Sequence, residues 1–271
     1  MTTVTELGEQ HANGASDEAF PIPVRHFLAN AAHYLQRGDV VLCKGRATLF
    51  SLAIRWWTNS HFSHAALVFA VPSEDEGFER TFLIEAGTSG VDITDLKHYA
   101  IDRAAVYDVA IKRLEQPWMT IEVQRAVRGH MLNFIKATYD YAKVVALARS
   151  LVSNVSFGFN VPMVGIERAV RRSYRLSRVA PSQFLCSGFV QYGFMSAVRR
   201  LIARNQLPKN ALDEVTFNDR LGRLADEPSI LATTPEDFAR SSKLAWRFVI
   251  RRGHVHRVTT YDEVDRILRR R

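Results

Sequence analysis

The strongest constraint in this sequence is a cysteine, Cys186, where a loop runs into a predicted helix. A thiol in the first helical turn lies at the positive end of the helix dipole and beside unpaired backbone N–H groups. Both favour the thiolate, which is the nucleophilic form. The small residues Ser187 and Gly188 follow, so a substrate carbonyl could approach the backbone there, and Ser187 is a candidate oxyanion contact. We predict that Cys186 is a nucleophile; the alternative is a small core residue.

A predicted strand that opens at His64 offers a base for this thiol. A second apolar run, residues 81–86, places Glu85 near its end. Neighbouring strands of this kind would set an imidazole beside a carboxylate, which fixes the tautomer and orientation of the ring. His61 competes for the role, and the strand start favours His64. A Cys/His pair with a third polar group is the minimum constellation for amide or ester cleavage through an acyl-thioester.

Zinc is an alternative use of the same side chains, because His61, His64, Glu85 and Cys186 are all acceptable ligands. Side chains alternate along a strand, so the two imidazole rings would point in different directions. We therefore predict no metal ion and no other cofactor. The second cysteine, Cys43, lies inside an apolar strand and is predicted to be structural.

Several short motifs follow one another along the chain in a characteristic order. They are Arg37-Gly38-Asp39-Val40-Val41-Leu42, Phe62-Ser63-His64-Ala65-Ala66-Leu67-Val68, Ile84-Glu85-Ala86, Gly90-Val91, Tyr139-Asp140-Tyr141, Phe184-Leu185-Cys186-Ser187-Gly188-Phe189-Val190 and Thr234-Pro235-Glu236-Asp237-Phe238. This set resembles the circularly permuted papain-like amidohydrolases, the YiiX/YaeF-type branch of the NlpC superfamily. In that branch the histidine precedes the cysteine, as in the order His64, Glu85, Cys186 here. The resemblance covers roughly residues 37–250.

The resemblance implies a circularly permuted papain-like fold, and the pattern of segments predicts the same α+β class, a small, mostly antiparallel sheet packed with helices. We predict a disordered segment over residues 1–22 and one catalytic domain over 23–271. That domain would carry a helical insertion around 153–182 and a basic C-terminal helix. The resemblance makes Tyr139 a candidate donor near the oxyanion, and Trp57 is a candidate wall of the cleft.

Several elements are predicted from local pattern alone. We expect one helix over residues 24–36, an apolar helix over 47–58, a helical turn over 94–99 and a helix over 139–152. Two cysteines do not suggest a disulfide framework and suit a reducing compartment. No signal peptide and no membrane-spanning apolar run is visible, so we predict a cytoplasmic chain as synthesised, compatible with signal-independent export.

The net charge of +8 is concentrated in two arginine clusters. Such clusters could contact phosphate or an anionic membrane surface, or form a solvated basic face. No zinc-finger spacing or RNA-binding aromatic signature is present, so we do not predict nucleic-acid binding. The clusters comprise Arg171, Arg172, Arg175 and Arg178, and then Arg247, Arg251, Arg252, Arg257, Arg266, Arg269, Arg270 and Arg271.

Taken together, these residues predict a thiol hydrolase that cleaves an amide or ester bond through a cysteine acyl-enzyme. A small peptide or peptidoglycan-fragment amide is the favoured substrate. One alternative is a lipid-directed acyltransferase or acyl hydrolase, for which the apolar segment 155–163 beside a basic helix would be an interfacial anchor. The other is a non-catalytic papain-like binding domain.

Overall fold

The computed structural model describes residues 19–45, 60–87, 89–135, 138–139, 183–184, 186–219, 230–231 and 233–269. Within these ranges an eight-stranded antiparallel sheet has the order β1-β10-β9-β6-β2-β3-β4-β5, and β7 pairs in parallel with β8. The strands are β1 (Ile22–Pro23), β2 (Val40–Gly45), β3 (His64–Ala70), β4 (Phe82–Gly87), β5 (Gly90–Asp95), β6 (Tyr107–Arg113), β7 (Thr138–Tyr139), β8 (Gln183–Phe184), β9 (Ala245–Arg251) and β10 (His254–Arg257).

Helices cover both faces of this sheet, which confirms the α+β class. The longest described helix, α4, begins at Cys186 and packs against β3 and β4. The helices are α1 (Val24–Ala29), α2 (Ala31–Tyr34), α3 (Ile121–Leu132), α4 (Cys186–Ala203), α5 (Ala211–Glu214), α6 (Pro235–Arg240) and α7 (Tyr261–Arg269), with a π-helical turn at His98–Asp102.

The central strands are apolar because they are buried on both sides. Along β3, Ala65 and Leu67 pack into the core that contains α4, whereas Ala66 and Val68 pack into the core that contains α1 and α2. Successive side chains of a strand point to opposite faces, so a strand covered on both faces needs a continuous apolar run. Strand β2 has such a run and is buried throughout.

A buried ion pair holds the start of β2 to the end of β6. The carboxylate of Asp39 accepts hydrogen bonds from Nε and one terminal nitrogen of Arg113, both at 2.7 Å. The guanidinium also donates to the Tyr34 carbonyl at 2.8 Å. Gly38 adopts a φ of +92°, which favours glycine at this turn. The Gly-Asp motif therefore has a structural role here.

Three local predictions differ from the structure. The predicted helical turn at 94–99 is wrong at Thr94, which lies in β5 and pairs with Leu83. The predicted helix over 24–36 is two short helices separated at Asn30. Tyr139 begins no helix in the described residues, because it lies in β7.

The remaining local predictions mostly fall outside the described residues. This holds for 47–58, 153–182 and most of 1–22, although Ile22 is buried and pairs with Val255. The domain division stays a prediction. None of the helices in the described part of the chain combines the length and hydropathy that a membrane span needs.

The buried and exposed arginine pairs should differ in their contribution to stability. Arg113→Met leaves the buried charge of Asp39 unpaired, which should lower the free energy of unfolding by about 3–5 kcal/mol. Arg247 pairs with Glu115 at 2.8 Å in a half-exposed position, so Arg247→Met should cost at most about 1 kcal/mol. Urea unfolding of both variants measures the difference, and equal losses would contradict this assignment.

Candidate active site

The sulfur of Cys186 lies at the first turn of the 18-residue helix α4. Two backbone N–H groups donate to it, those of Ser187 and Ala65. The N–H of Ala65 can donate to the sulfur because Ala65 has no partner in β4. The pairing of β3 with β4 begins only at the next residue, Ala66, which lies opposite Glu85. The cysteine is only 7% exposed, so these donors act in an environment of low polarity.

His64, at the first residue of β3, connects this sulfur to a carboxylate. Its Nε2 lies 2.6 Å from Oε2 of Glu85 on the neighbouring strand β4. Its ring also forms a hydrogen bond with Cys186, for which Nδ1 is the remaining nitrogen. Ala66 is opposite Glu85 in the register, so His64 lies two residues away on the same face of the sheet. The structure thus brings together Cys186, His64 and Glu85.

Two further side chains hold Glu85 in place. The Tyr99 hydroxyl lies 2.9 Å from both carboxylate oxygens, and the Thr94 hydroxyl donates to Oε1 at 2.7 Å. Thr94 is two residues beyond Asp92, the register partner of Glu85, and shares its face. The Tyr99 ring stacks on His64 with centroids 6.1 Å apart. Glu85 therefore accepts hydrogen bonds from three side chains.

The electrostatic surroundings favour a charged triad. Burial raises the pKa of Glu85, but the attraction of His64 and the three hydrogen bonds outweigh it and lower that pKa overall. Burial likewise opposes charge on Cys186, yet His64 and the two N–H donors lower the pKa of the thiol. Burial also opposes charge on His64, and the negative charges of Cys186 and Glu85 raise its pKa well above the ordinary range. A thiolate–imidazolium pair is the favoured state.

The second cysteine has the opposite character. Cys43 is fully buried in β2, opposite His64 in the register. Burial, together with the charges of Glu85 and Cys186, raises its pKa well above that of a free thiol. Cys43 is therefore held as a neutral thiol, in line with the structural role predicted for it.

His61 is directed to a different part of the molecule. Its Nε2 lies 2.5 Å from Oδ1 of Asp265 on α7, whereas His64 contacts Glu85 on β4. The two rings therefore do not converge on one point. Within the described residues, no group of three or more His, Cys, Asp and Glu side chains has the arrangement of a metal site.

The other candidate site residues are placed only in part. The Ser187 hydroxyl donates to the Thr233 carbonyl at 2.6 Å, which leaves the Ser187 backbone N–H as its contact with the sulfur. The Tyr139 backbone pairs with Phe184 on β8, two residues before the nucleophile, and its side chain is not among the described ones. Trp57 lies outside the described residues.

Sequence reasoning missed both residues that hold Glu85. The alternation of residues after Gly90 could have indicated a strand that contains Thr94. Tyr99 belongs to the π-helical turn, for which the sequence carries no periodic signal. Neither residue could be linked to Glu85 before the register of β4 and β5 was known.

Part of the C-terminal arginine cluster is engaged within the molecule. Arg247 pairs with Glu115, Arg269 pairs with Asp265, Arg251 donates to the Ile267 carbonyl, and Arg257 lies over the ring of Phe20. The first cluster, from Arg171 to Arg178, lies outside the described residues. Anion binding by these clusters stays a prediction.

Removing the tyrosine hydroxyl should weaken the ionised state of Glu85. A hydrogen bond to a charged group contributes about 1.5–3 kcal/mol, so Tyr99→Phe should raise the pKa of Glu85 by about one unit or more. The folded pKa is lowered, so ionised Glu85 stabilises the protein above about pH 4.3, and this is lost as pH falls through the folded pKa. In Tyr99→Phe, ionised Glu85 should contribute less to the free energy of unfolding at neutral pH. As the pH falls, this smaller contribution should disappear at a higher pH than in the wild type.

Free energies of unfolding measured against pH test this shift. Tyr107→Phe is the matched control, because Tyr107 packs edge-on against Tyr99 at 5.1 Å and is not among the donors to Glu85. Identical pH dependence in the wild type and both variants would contradict the assigned role of Tyr99.

The comparison with known protein families agrees with this site. Residues 34–150 match the family described as permuted papain-like amidase enzyme, YaeF/YiiX, C92 family, which confirms the resemblance. The matched segment contains β2 to β6, with His64 and Glu85, and it ends before Cys186. No curated protein matches the chain. Over residues 34–150 the chain is therefore similar to the permuted papain-like amidases of the YaeF/YiiX, C92 family, as expected of an enzyme of the cysteine amidase type.

Proposed function

We propose that Cys186, His64 and Glu85 are the catalytic triad of a thiol hydrolase that cleaves an amide bond of a peptide or peptidoglycan fragment through a cysteine acyl-enzyme. One observation carries the proposal. A single imidazole contacts a carboxylate at 2.6 Å and forms a hydrogen bond with a thiol at the start of an 18-residue helix. Nucleophile, base and orienting group are thereby in hydrogen-bond contact, as acyl transfer requires.

Acylation begins from the thiolate–imidazolium pair. The sulfur of Cys186 attacks the carbonyl carbon, a C–S bond forms, and the carbonyl electrons move to oxygen. We assign the backbone N–H of Cys186 as a donor to this oxyanion, because the first N–H groups of a helix have no intrahelical acceptor. When the oxyanion collapses, the C–N bond breaks and the His64 imidazolium gives its proton to the leaving amine. The products are a free amine, an acyl-thioester and a neutral imidazole.

Deacylation reverses the roles with water. Neutral His64 accepts a proton from water while the oxygen attacks the thioester carbonyl carbon. The C–S bond then breaks, the carboxylic acid leaves, and the thiolate and imidazolium are restored. Glu85 contributes by stabilising the imidazolium in both half-reactions. No cofactor takes part in either step.

The protonation state of His64 favours amides over esters. An amine leaves only when it is protonated, whereas an alkoxide needs this help less. Because the pKa of His64 is raised, the imidazolium retains the proton until the leaving nitrogen becomes basic. A lipid-directed acyl enzyme would use the same triad with a lipid as the acyl donor, so the assay compares a peptide amide, a lipid amide and a phospholipid ester.

The dependence of kcat/KM on pH should report the ion pair. Activity should fall on the acid side as the Cys186 thiolate is protonated, below the ordinary thiol pKa of about 8.5. It should fall on the alkaline side as the imidazolium deprotonates, above the ordinary histidine pKa of about 6.5. His64→Ala should lower kcat/KM by about 10²–10⁴-fold and abolish the alkaline limb.

Cys43→Ala provides the control. The triad does not use the Cys43 thiol, so this variant should retain the wild-type kcat/KM. Cys186→Ala should be inactive toward every substrate tested. If Cys186→Ala cleaved the peptide amide at the wild-type rate, the proposed function would be wrong. If only the phospholipid ester were cleaved, the triad would stand and the substrate class would be wrong.

A further inference from the structure

Lys112 is a buried lysine that the mechanism above does not use. It is 1% exposed, and its Nζ donates to the carbonyls of Phe238, Ala239 and Ser241, each at 2.9 Å. These carbonyls lie at the end of α6, where a helix leaves acceptors without intrahelical donors and where a cation is favoured. Nζ also lies 4.4 Å from the centroid of the Trp246 ring. The side chain thus fastens the end of α6 to β6.

The other end of α6 contacts the helix that carries the nucleophile. The carbonyl of Thr233 accepts the hydroxyl hydrogen of Ser187 at 2.6 Å. The Leu231 carbonyl packs on Gly188 so closely that a Cβ there would lie 2.3 Å from its oxygen. Thr234 is the N-cap of α6 and forms a complete capping box with Asp237, so the start of the helix is fixed by hydrogen bonds directly after these contacts. Residues 230–231 and 233–241 form one structure, here named the α4 bracket.

We propose that Lys112 is a positioning residue for Cys186, acting through the α4 bracket on the first turn of α4. The inference rests on the proposed function, because it assumes that Cys186 is the nucleophile. The nucleophile lies on helix α4 and its base lies on the sheet. The position of α4 relative to the sheet must therefore be fixed for the two groups to react. Lys112 projects from β6, which pairs with β2, and β2 pairs with the strand of His64. The α4 bracket therefore fixes the position of the Cys186 sulfur relative to the sheet that carries His64.

The energetic cost of this lysine supports a specific role. Burial lowers the pKa of Lys112 to about 7, although Asp219 and Glu236 act in the opposite direction. An apolar residue would fill the space without that cost, but it would leave three buried carbonyls without a donor. The ammonium, with its three N–H groups, matches the three acceptors. We therefore compare kcat below pH 7, where the ammonium is the main form, whereas the alkylation of Cys186 is followed from acid to above pH 9.

The test measures the thiolate pKa of Cys186 from the pH dependence of iodoacetamide alkylation, and kcat for a peptide amide. Lys112→Met should raise that pKa toward the free-thiol value of about 8.5. It should also lower kcat by about tenfold or more with little change in KM, because misplaced reacting groups lose rate rather than binding. Lys112→Arg keeps a charged donor and should restore part of kcat. Val255→Ala, in β10 and four strands away from β3 in the sheet, should lose stability and keep both values.

A second pair of variants acts on the bracket without changing Lys112. In Gly188→Ala the new Cβ presses on the backbone of Leu231, whereas in Gly193→Ala it meets the Met131 side chain at 2.5 Å. Both add a methyl group to α4, but only the first displaces the bracket. Gly188→Ala should therefore raise the Cys186 pKa and lower kcat, and Gly193→Ala should change stability alone. This pair decides the question if Lys112→Met does not fold.

Two results would separate the possible failures. If folded Lys112→Met or Gly188→Ala keeps the wild-type thiolate pKa and kcat, Lys112 has a purely structural role and the proposal is wrong. If Cys186 of the wild type itself titrates like a free thiol, the proposed function fails instead, and the positioning role fails with it.

Discussion

A single imidazole joins the two parts of this site, a helix that carries sulfur and a sheet that carries carboxylate. Cys186 and Glu85 are buried and His64 is partly buried, and isolated charges in such an environment are costly. Each charged group is therefore stable only beside its partner. The contact of 2.6 Å between His64 and Glu85 stabilises the imidazolium, and through it the thiolate of Cys186. Tyr99 and Thr94 stabilise the negative charge of Glu85 in turn, because the carboxylate accepts a hydrogen bond from each hydroxyl.

Buried polar contacts also fix the frame around this triad. Asp39 and Arg113 join two central strands, and Lys112 joins the sheet to α6. Apolar packing alone could hold these elements together, but it is less directional than hydrogen bonds with defined donors and acceptors. The apolar cores on the two faces give stability, while the polar contacts set the relative position of helix and sheet. A Cys/His pair needs such control, since small displacements of the reacting groups cost rate.

The meeting of Cys186, His64 and Glu85 and most of the strands around them could be predicted, because the three residues lie in short motifs whose local pattern is strong. The helix from Cys186 and the strand from His64 follow from apolar periodicity and begin where predicted. Tyr99 could not be found, because its role depends on a π-helical turn folding back over β4, which no local pattern indicates. The role of Lys112 could not be predicted either. From the sequence it is a charged residue near the end of an apolar strand, and its acceptors are known only once α6 is placed against that strand.

The most direct test of this account is the protonation state of the His64 ring, read by ¹⁵N NMR of histidine-labelled protein with the signal assigned through His64→Ala. We predict an imidazolium that persists well above the ordinary histidine pKa of about 6.5. In Cys186→Ala the thiolate charge is absent, so the pKa of His64 should fall. A ring that is neutral at pH 7 in the wild type and unaffected by Cys186→Ala would contradict the thiolate–imidazolium pair.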